Sequence, residues 1–182
     1  MKDLILTPLG LRVANKILPC VIGKHGVSKL KREGDGTTPT GKHLIVGMLY
    51  RPDRLSKPRN WALPIRPRDI WSDDVKDPDY NLMGTSPSSF RYEKLFRANN
   101  LYDLVIITNW NWPYAIKGRG SAIFIHHWRR NAFPTEGCIA LSKENLLKVA
   151  KYIDFSSQLI VPETLHAHQR WPSQHGYGSR QN

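Results

Sequence analysis

The apolar residues of this 182-residue chain fall into short runs of strand length, most of them bounded by Gly, Pro, Asn or Asp. Such runs occur at Leu4–Thr7, Ile17–Ile22, His43–Tyr50, Leu104–Thr108, Ser121–His127 and Gln158–Val161. Short β-branched and aromatic runs between turn residues read as strands. With 13 Gly and 13 Pro the chain turns often, which argues against a helical bundle. Strands and helices do not alternate as a parallel α/β sheet requires. The expected fold is mainly β with one or two packed helices.

One helix is well signalled. Ser142 can cap it by accepting an otherwise unpaired backbone N–H. Glu144 sits in the first turn, where the helix dipole favours a carboxylate. Leu146, Leu147, Val149, Ala150 and Ile153 then recur at helical spacing. A second short helix is expected around Tyr92–Ala98. Lys31–Gly41 reads as a dense loop, KREGDGTTPTG. Arg51–Ser89 is rich in Pro, Trp and charge without a clean period, so a long irregular excursion is expected, of the kind that is often functional. The expected division is one domain over residues 1–162 and a polar C-terminal tail over 163–182.

Composition narrows the function classes. Six Trp, seven Tyr and five Phe supply large burial area, against intrinsic disorder. Two cysteines, Cys20 and Cys138, cannot make a disulfide scaffold. No apolar run approaches the ~18 residues of a membrane span. The run Leu4–Leu6 is too short for a secretory signal core, so either the protein is cytoplasmic or a signal has been removed. The net charge is +12, and Lys24–Arg68 carries eleven basic residues against Glu33, Asp35 and Asp53. Such a stretch is either a solvated surface or a field toward an anionic partner: nucleic acid, acidic lipid or cell-wall polymer.

Chemistry concentrates in Gly118–Ser142, GRGSAIFIHHWRRNAFPTEGCIALS. A strand ends in His126 and His127. A loop through Asn131 and Pro134 leads to Thr135-Glu136-Gly137-Cys138. Gly137 lets the backbone approach closely beside the thiol. A thiol needs a base or positive field to become a nucleophile, and a histidine on an adjacent strand supplies one. Alternation puts Ala122, Phe124 and His126 on one face and Ile123, Ile125 and His127 on the other. Periodicity alone does not choose between the histidines. Cys20, inside ILPCVI, reads as a core residue.

No metal site is expected. His126, Glu136 and Cys138 are ligand types without CxxC or HExxH spacing, and His166 and His168 lie in the polar tail. Asp77-Pro-Asp79-Tyr-Asn81 opens like a calcium loop, but Leu82 stands where Gly is needed and Ser88 where Glu is needed. Gly34–Gly41 does not end in the GK[ST] of a phosphate loop.

The strand–His–loop–[S/T]xGC pattern resembles the YkuD-type L,D-transpeptidase catalytic domain. EGDGTTPTGKHLI (Glu33–Ile45) is similar to that family's Gly-rich TPxG lead-in to a core strand. LPCVIGKHGV (Leu18–Val27), WSDDVKDPDYN (Trp71–Asn81), LYDLVIITNWN (Leu101–Asn111) and GSAIFIHHW…TEGCIALS resemble one bacterial subgroup. The resemblance covers residues 1–162. It implies a β-sandwich or barrel-type catalytic domain with a Cys–His site in a cleft.

By motif position it implies Cys138 as nucleophile and His126 as base. The His127 carbonyl would orient His126, and the N–H groups of Gly137 and Cys138 would form an oxyanion hole. Thr135 and Glu136 would contact substrate. The chain departs from the usual SHGC motif: Thr135 keeps the hydroxyl, Glu136 replaces His, and Ala140 replaces a polar residue two positions after the cysteine. Next to the thiol, Glu136 is expected to face an imidazolium–thiolate pair and to favour a cationic ligand, or else to point to solvent or pair with Arg129 or Arg130.

The implied activity is cofactor-free acyl transfer on peptidoglycan stem peptides. It releases terminal D-alanine and forms 3→3 cross-links, in the periplasm or cell envelope. Two alternatives stay open: an L,D-carboxypeptidase of peptidoglycan recycling with water as acceptor, and a basic binding module for cell wall or nucleic acid.

Overall fold

The structure is a computed structural model that describes residues 2–130 and 133–165. In chain order the first strands are β1 (Leu4–Thr7), β2 (Gly10–Val13), β3 (Lys16–Leu18), β4 (Cys20–Val21), β5 (Val27–Ser28) and β6 (Thr38–Pro39). Then come β7 (Gly41–Tyr50), β8 (Leu63–Pro64), β9 (Asp69–Ser72), β10 (Met83–Thr85), β11 (Tyr92–Lys94), β12 (Leu104–Thr108), β13 (Phe124–His127) and β14 (Ile139–Leu141). Helix α1 (Lys143–Tyr152) and strand β15 (Gln158–Val161) complete the described fold. The main sheet runs β3-β2-β1-β15-β7-β12-β13-β14-β4, with β8 added to β7. It curls until β4 packs near β2, with the Cys20 thiol against the Leu11 backbone, so the sheet is nearly closed. The expectation of a mainly β fold holds, with a single helix among the described residues.

The long strand β7 joins the two halves by pairing with both β15 and β12. Every residue of β12 is buried, as both faces of this central strand are covered. Its Leu104 and Ile106 join a core with Leu4, Ile45, Met48, Ile125, Leu141 and the α1 residues Leu146, Val149 and Ala150. Its Val105 and Ile107 face a second core with Trp71, Leu95, Tyr102 and Phe124. Helix α1 forms as read: Ser142 Oγ accepts from the Asn145 N–H at 3.2 Å, and Ile153 ends it.

Three expectations are corrected. Tyr92–Ala98 is not a helix: Tyr92–Lys94 pairs antiparallel with β9, because ladder bonds and burial of Leu95 outweigh local propensity. Ile17–Ile22 is two strands, split at Pro19, which has no N–H to give a ladder. Ser121–Ile123 precedes the strand rather than opening it, and the Ser121 N–H donates to Glu33 Oε2 at 2.8 Å.

The excursion Arg51–Ser89 is also ordered rather than irregular. Its β9 and β10 combine with β11 into a three-stranded sheet that covers the second core. The acidic residues here build turns. Asp77 accepts from Ser72 Oγ at 2.5 Å and the Asp79 N–H at 2.8 Å. Asn81, fully buried with φ 64°, ties the insert to the body. It accepts from Trp71 Nε1 at 3.0 Å and donates to the carbonyls of Trp110 and Asn111 at 3.2 and 2.6 Å.

Most of the basic stretch is exposed, as a solvated surface would be, with Lys31 and Arg51 as buried exceptions. Arg51 is buried, bonded to Asp53 and the Arg97 carbonyl, with its guanidinium over Phe96. Arg54 pairs with Asp103 at 2.7 Å, Arg59 with Asp154, and Lys31 with Asp35 at 2.6 Å. Much of the positive charge is neutralised within the fold. No helix among the described residues is long and apolar enough to cross a membrane.

Asn81→Ala strands a buried indole N–H and two carbonyls, at a cost of about 3 kcal/mol. Denaturant unfolding should show that loss, with proteolysis of the insert between residues 66 and 95 accelerated first.

Candidate active site

Strands β13 and β14 run parallel, pairing Ile125 with Ile139 and His126 with Ala140. Extending that register by one residue sets Cys138 beside Phe124. Two residues along a strand return to the same face, so His126 and Cys138 share one side of the sheet, about 6–7 Å apart along it. His127 takes the other side, among Leu55, Asp103, Lys143, Leu146 and Leu147. Its Nδ1 is buried there without a hydrogen-bond partner. The two histidines that alternation alone left equivalent are thus separated by the sheet, and His126 lies on the side of Cys138.

That side opens into a cleft of about 1080 Å³ lined by both His126 and Cys138. Its walls carry Lys31, Glu93, Arg97, Tyr102, Arg129 and Glu136. The His126 imidazole is held by its neighbour: Nδ1 lies 2.7 Å from the His127 carbonyl oxygen. A carbonyl only accepts, so Nδ1 carries the proton and the neutral ring leaves its Nε2 lone pair free. Burial pushes the His126 pKa down to about 4, despite the opposing carbonyl bond, so the ring is neutral at pH 7.

The thiol is also neutral. Cys138 Sγ donates to the Ala122 carbonyl at 3.7 Å and accepts from the Phe124 N–H at 3.3 Å. Burial pushes its pKa up to about 12, with the Glu93 carboxylate adding to the shift and the Phe124 N–H and the Lys31 ammonium opposing it. Among the described residues, Sγ bonds to Phe124 and Ala122 and not to His126. Burial opposes the expected imidazolium–thiolate pair from both sides. Desolvation disfavours both ions, lowering the His126 pKa and raising that of Cys138.

The turn before Cys138 is tightly built. Thr135 Oγ1 accepts from the Gly137 N–H at 3.1 Å and donates to the Cys138 carbonyl at 2.5 Å. The Gly137 N–H, expected to be free for an oxyanion, is therefore engaged by Thr135. Gly137 has φ +147°, and a Cβ there would lie 2.7 Å from the Thr37 carbonyl oxygen, so only glycine fits. Thr38 Oγ1 donates to the Gly137 carbonyl at 2.7 Å, linking the TPxG segment to the cysteine turn. Glu136 pairs with Lys24 at 2.8 Å and is largely exposed, so neither Arg129 nor Arg130 is its partner. Ala140 is fully buried in the sheet. Cys20 lies in the main core, and both cysteines are free thiols.

Sequence reading missed Lys31, whose ammonium is buried against Asp35 near the Gly137 turn. It also missed Glu93 and Tyr102. Glu93 reaches the cleft only through the insert sheet, and Tyr102, although inside the quoted LYDLVIITNWN segment, carries no local sign of a place in the site. His166, His168 and Asn131 lie outside the described residues.

Because the thiol pKa is raised from about 9 to about 12, the thiolate fraction grows with pH throughout that window. Alkylation of Cys138 by iodoacetamide should be slow at neutral pH and should keep rising beyond pH 9 without a plateau, read by mass spectrometry. The depressed His126 pKa contributes stability that is present above pH 6.5 and is lost as pH falls toward 4.

A sequence profile of the L,D-transpeptidase catalytic domain (YkuD) matches residues 11–161. No curated protein matches the chain significantly. Among solved structures, an L,D-transpeptidase from Mycobacterium smegmatis is 13% identical, with a TM-score of 0.41 over 87% of this chain and 57% of that one. The chain thus spans less than two thirds of that protein's length. The profile covers most of the chain and includes both cleft residues, His126 and Cys138; on that match, the chain belongs to the YkuD family of L,D-transpeptidase catalytic domains.

Proposed function

We propose that the protein is a cysteine acyltransferase acting on peptidoglycan stem peptides, with Cys138 as nucleophile and His126 as base. The reading is carried by one observation. The thiol and an imidazole with a free Nε2 share one face of adjacent parallel strands, at a cleft large enough for a peptide.

Binding of a donor stem displaces Cys138 from Ala122 and Phe124. The thiol proton passes to His126 Nε2 as Sγ attacks the carbonyl carbon of the third residue, a diamino acid. The developing oxyanion replaces Thr135 Oγ1 at the Gly137 N–H, with the Cys138 N–H as second donor; each such donor contributes about 3–4 kcal/mol. The C–N bond to the terminal D-alanine breaks, and the departing amine takes the proton from His126. The amine of a second stem then attacks the thioester, gives its proton to His126 and frees the thiol, leaving a 3→3 cross-link. Water in place of that amine gives the carboxypeptidase outcome. No cofactor takes part. Glu136, at the cleft rim, is assigned the free ammonium of the diamino acid, in exchange for Lys24. Thr135 shapes the turn that receives the acyl group. Such a substrate belongs to the cell envelope.

Purified enzyme with a disaccharide-tetrapeptide donor tests the reading by mass spectrometry of products. Cys138→Ala should release no D-alanine, and Cys20→Ala should release it as wild type does. His126→Ala should lose more than about 2 orders of magnitude, the scale of a lost general base. His127→Ala should lose far less, since its side chain lies across the sheet. Full activity of Cys138→Ala overturns the reading. Cross-linked dimer against tripeptide, with an acceptor amine present, separates transfer from hydrolysis.

A further inference from the structure

His126 is held at Nδ1 by the His127 carbonyl, but one hydrogen bond to an adjacent residue leaves the ring free to tilt. The imidazole meets Tyr102 in a T-shaped contact, with ring centroids 5.4 Å apart and planes at 86°. Tyr102 is buried and meets Phe124 edge-on at 6.1 Å, and Phe124 meets Trp71 of β9 at 5.0 Å. An unbroken edge-to-face chain therefore runs from the insert sheet to the imidazole. The open side of the Tyr102 ring is covered by the Arg97 guanidinium, 5.5 Å from its centroid, which also reaches Glu93 of β11 at 3.4 Å. The Tyr102 hydroxyl faces the Glu93 carboxylate, and each perturbs the other's ionisation.

We propose that Tyr102 is a positioning residue: its ring, clamped by the insert sheet through Phe124 and Arg97, fixes the tilt of the His126 imidazole and keeps water from it. The inference rests on the reading of His126 as the base. The ring matters more than the hydroxyl, because the ring makes the contact. The insert sheet, read from sequence as a loose excursion, thereby acts on the site without supplying the base or the nucleophile. The charged groups sensed by His126 are Arg97 and His127, both of which disfavour its protonation alongside the dominant effect of burial.

The test is an NMR titration of His126 combined with steady-state kinetics of D-alanine release. Tyr102→Phe keeps the ring and should stay within about 3-fold of wild type. Tyr102→Leu should lower kcat about 10-fold with little change in KM, a loss short of the ~100-fold that a 1 Å misplacement can cost. Its His126 midpoint should rise from about 4 toward the ordinary 6.5, because the dry wall is gone. Arg97→Ala, on the cleft wall, should move the midpoint the same way and lower kcat less. An unchanged His126 midpoint in folded Tyr102→Leu, or equal losses in the Phe and Leu variants, overturns the proposal. Should the Leu variant not fold, Tyr102→Met takes its place, and an unchanged His126 midpoint there overturns the proposal. The titration needs no turnover, so a wild-type enzyme without D-alanine release sinks the catalytic reading and leaves this one to be decided by the midpoints.

Discussion

The parallel pairing of β13 with β14 is the constraint on which the rest of the site depends. It joins two segments separated by the His126–Cys138 loop and fixes their register through Ile125–Ile139 and His126–Ala140. A slip of one residue in either strand would turn its side chain to the opposite face. The register is secured from both sides of the sheet: Ile125, Ile139 and Leu141 belong to the main core, and Phe124 to the second. On the outer flanks, β12 and β4 complete the ladders. The cleft residues are thus placed by hydrophobic burial in a sheet buried on both faces, not by the loop between them.

Burial that secures this register also sets the electrostatics. Desolvation keeps Cys138 as a thiol and His126 as a neutral imidazole, shifting the two pKa values in opposite directions. Lys31 biases the same balance toward the thiolate. Its ammonium is held by Asp35 and the Arg32 carbonyl, a fixed charge rather than a mobile surface one. Glu93, also lining the cleft, pulls the opposite way. In the proposed mechanism, the cleft adjusts proton transfer through these two charges.

The sequence made the elements of the central sheet legible where a local signal existed. Leu104–Thr108 and Gln158–Val161 read as strands because apolar runs end at turn residues, and Ser142 announced its helix through its capping hydroxyl. Alternation placed His126 with Phe124 and against His127, as the sheet does. Nothing local could show that Trp71, Tyr92 and Met83 belong to one small sheet, since its strands are three or four residues long and separated by turns built from Asp side chains. The tertiary partner decides those residues, and the same holds for Tyr92–Lys94, misread as helical. Glu136 was legible as a departure from the family motif, but its partner Lys24 lies 112 residues away in sequence and is brought in by the pairing of Gly23 with Thr135. The resting protonation of the thiol was likewise out of reach, because it follows from burial and not from residue type.

The central claim is that Cys138 carries the acyl group. Intact-protein mass spectrometry after rapid acid quench, with a tetrapeptide donor and no acceptor amine, tests it most directly. The account predicts a mass increase equal to the donor minus D-alanine, mapped by proteolysis to the peptide containing Cys138. Release of D-alanine with no adduct at any quench time, or an adduct mapped to Cys20, would contradict it.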